Sequence, residues 1–254
     1  MKIVSYNVNG IRAAFRKGID EWIAKENPDI ICIQETKARP SDLDLSPLNK
    51  MGYSDHWFSA EKKGYSGVLT LTRERPDEVV KGISHSLYDS EGRVIRTDFG
   101  EYTLLNCYFP SGTSGDARQA IKMEFLDDFY QLIEELKKTR PKLIIAGDYN
   151  IAHTPQDIHD PVRNKNTSGF KPEERVWMDK WFGSGFTDPF REFNPDKIEY
   201  SWWSYRAASR KRNKGWRIDY ISVSDVLKDK ITSAHHANEA VHSDHCPVVL
   251  NLDL

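Results

Sequence analysis

Cysteine is scarce in this chain: three residues in 254, Cys32, Cys107 and Cys246, an odd number set far apart. That pattern excludes a disulfide framework, and none has the paired spacing of a structural zinc site. Each lies in an apolar stretch, "IICIQ", "LNCYF" or "HCPVVL", so all three are expected to be buried thiols in a reducing compartment. Long hydrophobic runs are also missing. No stretch approaches the roughly 20 apolar residues that span a bilayer, and "MKIVSYNVNG" has no signal-peptide core. A cytoplasmic location with no membrane partner is expected. Charge of one sign is lacking too: 36 Lys and Arg against 38 Asp and Glu give a net charge of −2. That argues against bulk polyanion binding and leaves only local patches. With no linker-like or low-complexity segment, residues 1–254 are expected to form one domain, monomeric by default.

What is present in quantity is short apolar runs rich in β-branched and aromatic residues. They are "KIVSYNV", "DIICIQE", "SGVLTLT", "RVIRTDF", "YTLLNCYF", "KLIIAGDYN", "YSWWSY", "RIDYISVS" and "CPVVLNLDL". Three helical patterns lie between them. One carries Phe15, Ile19, Trp22 and Ile23; the longest begins near Asp116; a third starts around Pro172 and stops at "GSG". Helices this few cannot cross over between every pair of strands, which disfavours a parallel wind. The expected class is α/β, with two packed sheets and helices outside. "KIVSYNVNG" and "KLIIAGDYN" look alike, hinting at two similar halves and placing Asn7, Asp148 and Asn150 at equivalent strand ends.

Polar residues gather at the ends of these runs. Asn7 closes the first, Glu35 the second, and Asp148 and Asn150 close "KLIIAGDYN"; Asp219 interrupts "RIDYISV", while Asp244 and His245 precede the last. Asn and Asp are ordinary turn formers. Glu35 is not, and a carboxylate at the tip of a buried run makes sense opposite a cation. The oxygen donors suit a hard ion such as Mg²⁺ or Mn²⁺ better than zinc, and no HExxH occurs. A second signal is "RAASRKRNKGWR", Arg206 to Arg217: six basic residues, no acidic ones, flanked by Trp203 and Trp216. Most charge runs are solvated loops; the aromatics raise a nucleic-acid reading. Ser243 and His242 look like spectators beside Asp244 and His245, and Trp203 like core.

Nine segments in order, "SYNVNGIRA", "PDIICIQETK", "GYSGV", "NCYFPSG", "GDYNIAH", "SGFKPEER", "YSWWSY", "NKGWRIDYISVS" and "SDHCPV", resemble the exonuclease III family of apurinic/apyrimidinic endonucleases, nearly end to end. The resemblance implies a four-layer α/β sandwich of two mixed sheets flanked by helices. It implies Mg²⁺-dependent hydrolysis of duplex DNA 5′ to abasic sites, leaving a 3′-hydroxyl, with 3′–5′ exonuclease or 3′-end-cleaning activity besides. Matched residue by residue, Glu35 resembles the principal metal ligand with Asn7 and Asp244 nearby. Asp148 resembles the residue that orients or deprotonates water, Asn150 its supporting amide, and His245 the phosphate-binding imidazole paired with Asp219. Tyr108 resembles a phenol near the scissile phosphate. Asp148, Tyr108 and a metal-bound water are all candidates for the deprotonation, and one or two ions fit the donor set. Arg12, Ala13, Lys17, Tyr65, Asn164 and Arg206 match DNA-contacting positions, and Trp202, Trp216 and Ile218 an apolar pocket for a base-free sugar. Asn9 stands where some members carry Asp; Asp160 and Thr167 stand where relatives place Asn. Arg206 replaces an apolar wedge, and "SGTSGDAR" differs from members that insert an Arg.

Two other readings compete. A relative acting on a lipid or inositol phosphate ester would keep Asn7, Glu35, Asp148, Asn150, Asp244 and His245, but would not need "WWSYRAASRKRNKGW". A DNA-binding module without catalysis would not need Glu35 or His245, and both are present.

Overall fold

Most of the apolar runs form strands covered on both faces, so they read as continuous hydrophobic segments rather than alternating ones. A computed structural model describes residues 1–254, apart from the side chain of Ala207. One six-stranded sheet has the spatial order β11 (Ile231–His236), β12 (Val248–Leu252), β1 (Lys2–Asn7), β2 (Ile30–Gln34), β4 (Val68–Thr72), β3 (Ser54–Phe58). The other runs β5 (Glu78–Lys81), β6 (Val94–Asp98), β7 (Thr103–Tyr108), β8 (Leu143–Asp148), β10 (Asp219–Ser224), β9 (Phe186–Thr187). Only β1–β2 and β7–β8 pair in parallel, so both sheets are mixed.

Alternate residues of a strand enter different cores. Ile3, Ile30, Cys32, Leu104, Ile144, Ile221 and Leu250 fill the space between the sheets. Val4, Ile31, Leu69 and Val249 face outward onto Ile11, Ile19, Ile23 and Leu48. On the other side Leu105, Ile145 and Tyr149 pack against Phe125, Phe129, Trp177 and Trp181, from the helices Asp116–Lys137 and Pro172–Gly183. These layers are the expected four-layer α/β sandwich. All three cysteines are buried and unpaired. No helix is long and apolar enough to cross a membrane, among the described residues.

The two centres match. β1 lies between parallel β2 and antiparallel β12, and β8 lies between parallel β7 and antiparallel β10. Two expectations need correction. "YSWWSY" is not a strand: Trp202 makes only isolated bridges, to Trp216 and to His245, because Ser201–Trp203 is shared between two loops. The first helical pattern is two helices, Ile11–Phe15 and Ile19–Glu26, divided at Gly18 with φ +79°. β3, β5, β9 and β11 were not legible from the runs. β3 and β5 are edge strands with exposed residues, where the hydrophobic signal is weakest.

Candidate active site

Parallel pairing sends the C-terminal ends of β1, β2, β7 and β8 to one edge of the sandwich. The antiparallel partners β10 and β12 begin at that edge. Asn7, Tyr108 and Asp148 are the last residues of β1, β7 and β8, Glu35 follows β2, and Asp219 opens β10 opposite Asp148. Asp244 and His245 lie on the loop just before β12. Topology therefore gathers residues spread over nearly the whole sequence, from Asn7 to His245.

His245 sits between acids. Its Nδ1 is 2.9 Å from Asp219 Oδ2 and 3.1 Å from Oδ1. Ser201 Oγ donates to the same Asp219 Oδ2 at 2.6 Å and accepts from the amides of Ile218 and Asp219 at 3.0 and 3.1 Å. Burial alone would push the imidazole down, but the charges of Asp219, Asp148 and Asp244 outweigh it and raise the pKa to about 10. His245 is an imidazolium at neutral pH. Burial, followed by the Asp219 charge, pushes Asp148 the other way, up to about 7. Asp148 is held by donors: the Asn150 amide to Oδ1 at 2.8 Å and Asn7 Nδ2 to Oδ2 at 2.8 Å. Asn150 adopts φ +54°, and its side chain spans Phe109 O at 3.0 Å and Asp148 Oδ2 at 3.4 Å.

Beside this group lies a second set of oxygens. Asn7 Nδ2 reaches Glu35 Oε2 at 3.1 Å, and Asn9 Nδ2 reaches Asp244 Oδ1 at 3.0 Å. Trp202 Nε1 donates to Asp244 Oδ2 at 3.1 Å. Burial would raise the Asp244 carboxyl, yet the positive His245 next to it and these donors hold it below the usual range. Lys37 Nζ stands 2.9 Å from Glu35 Oε1 and 2.5 Å from Asn9 Oδ1, so a positive charge already occupies this corner.

Asp148, Asp219 and His245 offer ligand atoms within 4.8 Å of one another, close enough to hold a metal ion. That trio is not the set implied by the resemblance. In the trio His245 Nδ1 is already bonded to Asp219, and Asp148 already accepts from Asn7 and the Asn150 amide. Glu35 and Asp244 are carboxylate oxygens of the kind a hard cation takes, engaged here by Lys37 and Asn9. Asn7 turns its nitrogen to both neighbouring carboxylates while its Oδ1 accepts the Asn9 amide at 2.9 Å.

Tyr108 completes the floor. Its carbonyl accepts from Arg93 Nη1 at 2.8 Å and the Arg93 guanidinium lies 5.0 Å from its ring. Burial, with the charges of Glu35 and Asp148, raises the phenol well above its ordinary value. It remains a donor at neutral pH.

An apolar wall flanks the acids. Trp202 and Trp216 meet edge to face at 6.2 Å and cover Ala152, Ile158, Phe170 and Ile218. Trp203 points away, buried with Tyr200 and Cys246. Arg12 and Arg206 are exposed, Ala13 is half-buried, and Lys17 Nζ donates to His242 O at 2.9 Å. Tyr65 OH accepts from Arg118 Nη2 at 3.0 Å. Asn164 closes its own turn, its Nδ2 bonded to His159 O and Asp160 O, both at 3.0 Å.

Within the basic run Arg206, Lys211, Arg212 and Lys214 are exposed, whereas Arg217 is buried, paired to Asp157 Oδ1 at 2.7 Å and Asp188 Oδ2 at 2.7 Å, and Arg210 turns inward. One expectation fails here. Ser243 is no spectator, because its Oγ donates to Asp244 Oδ1 at 3.2 Å and accepts the His245 amide at 3.3 Å. Sequence reading missed Ser201 and Lys37. Only the adjacency of Lys37 to "QET" carried a signal for either.

Known proteins resemble this chain along its whole length. The chain is 40% identical over 258 residues to a DNA-(apurinic or apyrimidinic site) endonuclease of Dictyostelium discoideum, covering 100% of this chain and 71% of that protein. It is 40% identical over 256 residues to an exodeoxyribonuclease of Bacillus subtilis, covering all of both. Among solved structures, an AP endonuclease from Archaeoglobus fulgidus superposes with a TM-score of 0.90 at 28% identity over 100% of both chains. A 3′ phosphatase from Neisseria, bound to product DNA hairpin, gives 0.93 at 27% over 100% of both. The model of the Endonuclease/Exonuclease/phosphatase family matches residues 4–245, which takes in every strand-end residue of the site, and the chain belongs to that family.

Proposed function

We propose that this protein hydrolyses the backbone of duplex DNA on the 5′ side of abasic sites, leaving a 3′-hydroxyl, and also trims 3′ ends. The observation that carries the reading is the geometry at His245, its Nδ1 bonded to Asp219 and its ring close to Asp148, at the foot of an indole wall. Mg²⁺ is the proposed cofactor, with Mn²⁺ as a substitute, held by Glu35 and Asp244 with Asn7 beside them; when bound it supplies charge neutralisation at the phosphate oxygens.

The side chains do the rest. With Nδ1 committed to Asp219, His245 presents Nε2–H to a non-bridging phosphate oxygen. Asp148, poised near neutrality and buried, accepts the proton of the attacking water; a cation nearby favours its ionised form. Asn150 and Asn7 hold that carboxylate in one orientation. Tyr108, too weak an acid to serve as base, donates its phenol hydrogen to the phosphate. Trp202, Trp216 and Ile218 admit a flipped sugar without a base, and exclude a full nucleotide by size. Arg12, Ala13, Lys17, Tyr65, Asn164 and Arg206 are the proposed backbone contacts. The protein is expected to act as a monomer in the cytoplasm.

The relatives' names include a 3′ phosphatase, so end processing is the second reading. A labelled duplex with one abasic analogue, incubated with Mg²⁺ or with chelator, separates the two. Incision 5′ to the lesion in Mg²⁺ only is expected. No internal incision at ample enzyme, with a 3′-phosphate removed from a second duplex, would leave end processing as the activity.

A further inference from the structure

Arg210 belongs to the basic run but bonds to the catalytic loop. Its Nη2 donates to Asn238 O at 3.0 Å and Ala240 O at 2.7 Å, and its Nη1 to Ser243 O at 3.2 Å. A planar guanidinium can serve several carbonyls at once, which an ammonium cannot do with equal geometry. Its face lies 4.6 Å from the Trp203 ring, which fixes its orientation. Trp203 in turn donates its amide to Asp244 O at 2.9 Å, and Cys246 donates to Ser201 O at 2.7 Å. From the opposite side Lys17 Nζ takes His242 O at 2.9 Å. The segment from Asn238 to Cys246 has no strand or helix of its own to set its path; its end is held by bonds to Asp244 and His245 themselves, and the Asn238–Ser243 backbone by Arg210 and Lys17.

We propose that Arg210 is a positioning residue that braces the Asn238–Ser243 backbone, and through it Asp244 and His245, rather than a contact to DNA phosphate. The same segment, Ser201 to Trp216, thus supplies the indole wall and the brace for the residues proposed to act on the phosphate. The reading rests on the nuclease function proposed above for this site.

Removal of a phosphate contact and removal of a brace have different signatures. Loss of one phosphate contact lowers the slope of log affinity against log salt by about 1 and leaves the saturated rate alone. Loss of a brace displaces reacting groups, and a shift of about 1 Å is enough to cost on the order of 10²-fold in rate. The test uses single-turnover cleavage and equilibrium binding of an abasic-analogue duplex across a salt series, with Arg210→Met, Arg210→Lys and Arg212→Ala. Arg212 is the comparator, an exposed cation of the same run. Expected for Arg210→Met is a tenfold to 10²-fold fall in saturated rate, with affinity within about twofold and an unchanged salt slope. Arg210→Lys should recover part of the rate, and Arg212→Ala should lose salt slope at full rate. A weaker, less salt-dependent complex with an unchanged saturated rate in Arg210→Met would overturn the proposal. Hydrogen exchange of amides 238–246 needs no activity: faster exchange in Arg210→Met is expected, and unchanged exchange overturns the brace. Wild-type protein that fails to cut would sink the nuclease reading while the exchange result still decides the role of Arg210.

Discussion

Burial by itself would strip the proton from His245, and the Asp219 carboxylate 2.9 Å away reverses that, with a pKa raised to about 10. Asp219→Asn removes the charge and keeps the shape, so the pKa must fall and the imidazolium must be lost at lower pH. Between pH 6 and 9, wild-type cleavage should show no basic-limb decline from this group. The variant should fall progressively, impaired least at pH 6; parallel pH–rate profiles would show that Asp219 does not set the charge of His245. Stability follows the same sign. A folded pKa of about 10 against 6.5 unfolded stabilises fully below 6.5, and the benefit drains away as pH rises through 10. His245→Ala and Asp148→Asn should each cost roughly 10²–10⁴-fold in single-turnover rate with DNA affinity largely kept. A loss within about threefold in both would contradict the assigned roles. Glu35 was legible in sequence because glutamate has no turn chemistry to excuse it at the end of an apolar run. Ser201 was not: a serine is ordinary anywhere, and its partner Asp219 lies 18 positions away.

Gly147 of β8 holds φ +159°, a conformation that would aim a side chain into the neighbouring strand β7. A Cβ on Gly147 would meet Cys107 O at 1.9 Å, in the register that brings Tyr108 beside Asp148. Gly147→Ala must push the strands apart at the last pair before the site. Overpacking of this kind costs about 1–3 kcal/mol, and thermal denaturation should register a Tm lower by roughly 2–12 °C for a chain of this size. Cleavage should fall by more than the loss of folded protein explains, since Tyr108 and Asp148 move with the strands. A wild-type Tm and rate would show that the ladder relaxes without cost. The strands themselves were readable because both faces are buried, and the helix Asp116–Lys137 because its pattern runs for 22 residues. "YSWWSY" has the composition of a strand but spends its backbone on two loops instead. Composition reports what a segment would bury, not which neighbours compete for its hydrogen bonds.

Depressions of opposite character lie at the two edges of the molecule. The larger, about 990 Å³, lies at the edge opposite the catalytic residues and is lined by Asp29, Glu74, Glu101 and Asp253 against Arg73, Lys142 and Lys230. A smaller one, about 230 Å³, is lined by Arg12, Lys37, Arg39, Lys62 and Lys63, with Asp42 as its single acid. Asp42 is already engaged by the Arg39 amide at 2.8 Å. Volume favours the first and charge the second; a polyanion is steered by charge. A net charge of −2 therefore conceals a division of labour among the cations. Arg217 and Lys122 are buried against Asp157 and Glu174, whereas Lys62 and Lys63 stand exposed beside Tyr65. The inward pairing of Arg217 was not legible in sequence for this reason, since its partners lie 60 and 29 positions away. The double variant Lys62→Ala/Lys63→Ala should weaken duplex binding and flatten its salt dependence by about 1–2 units of slope, with the saturated cleavage rate unchanged. Lys142→Ala/Lys230→Ala, at the far depression, should leave both untouched. A flattened slope in the second pair and not in the first would place the DNA on the wrong edge of the sandwich, away from His245.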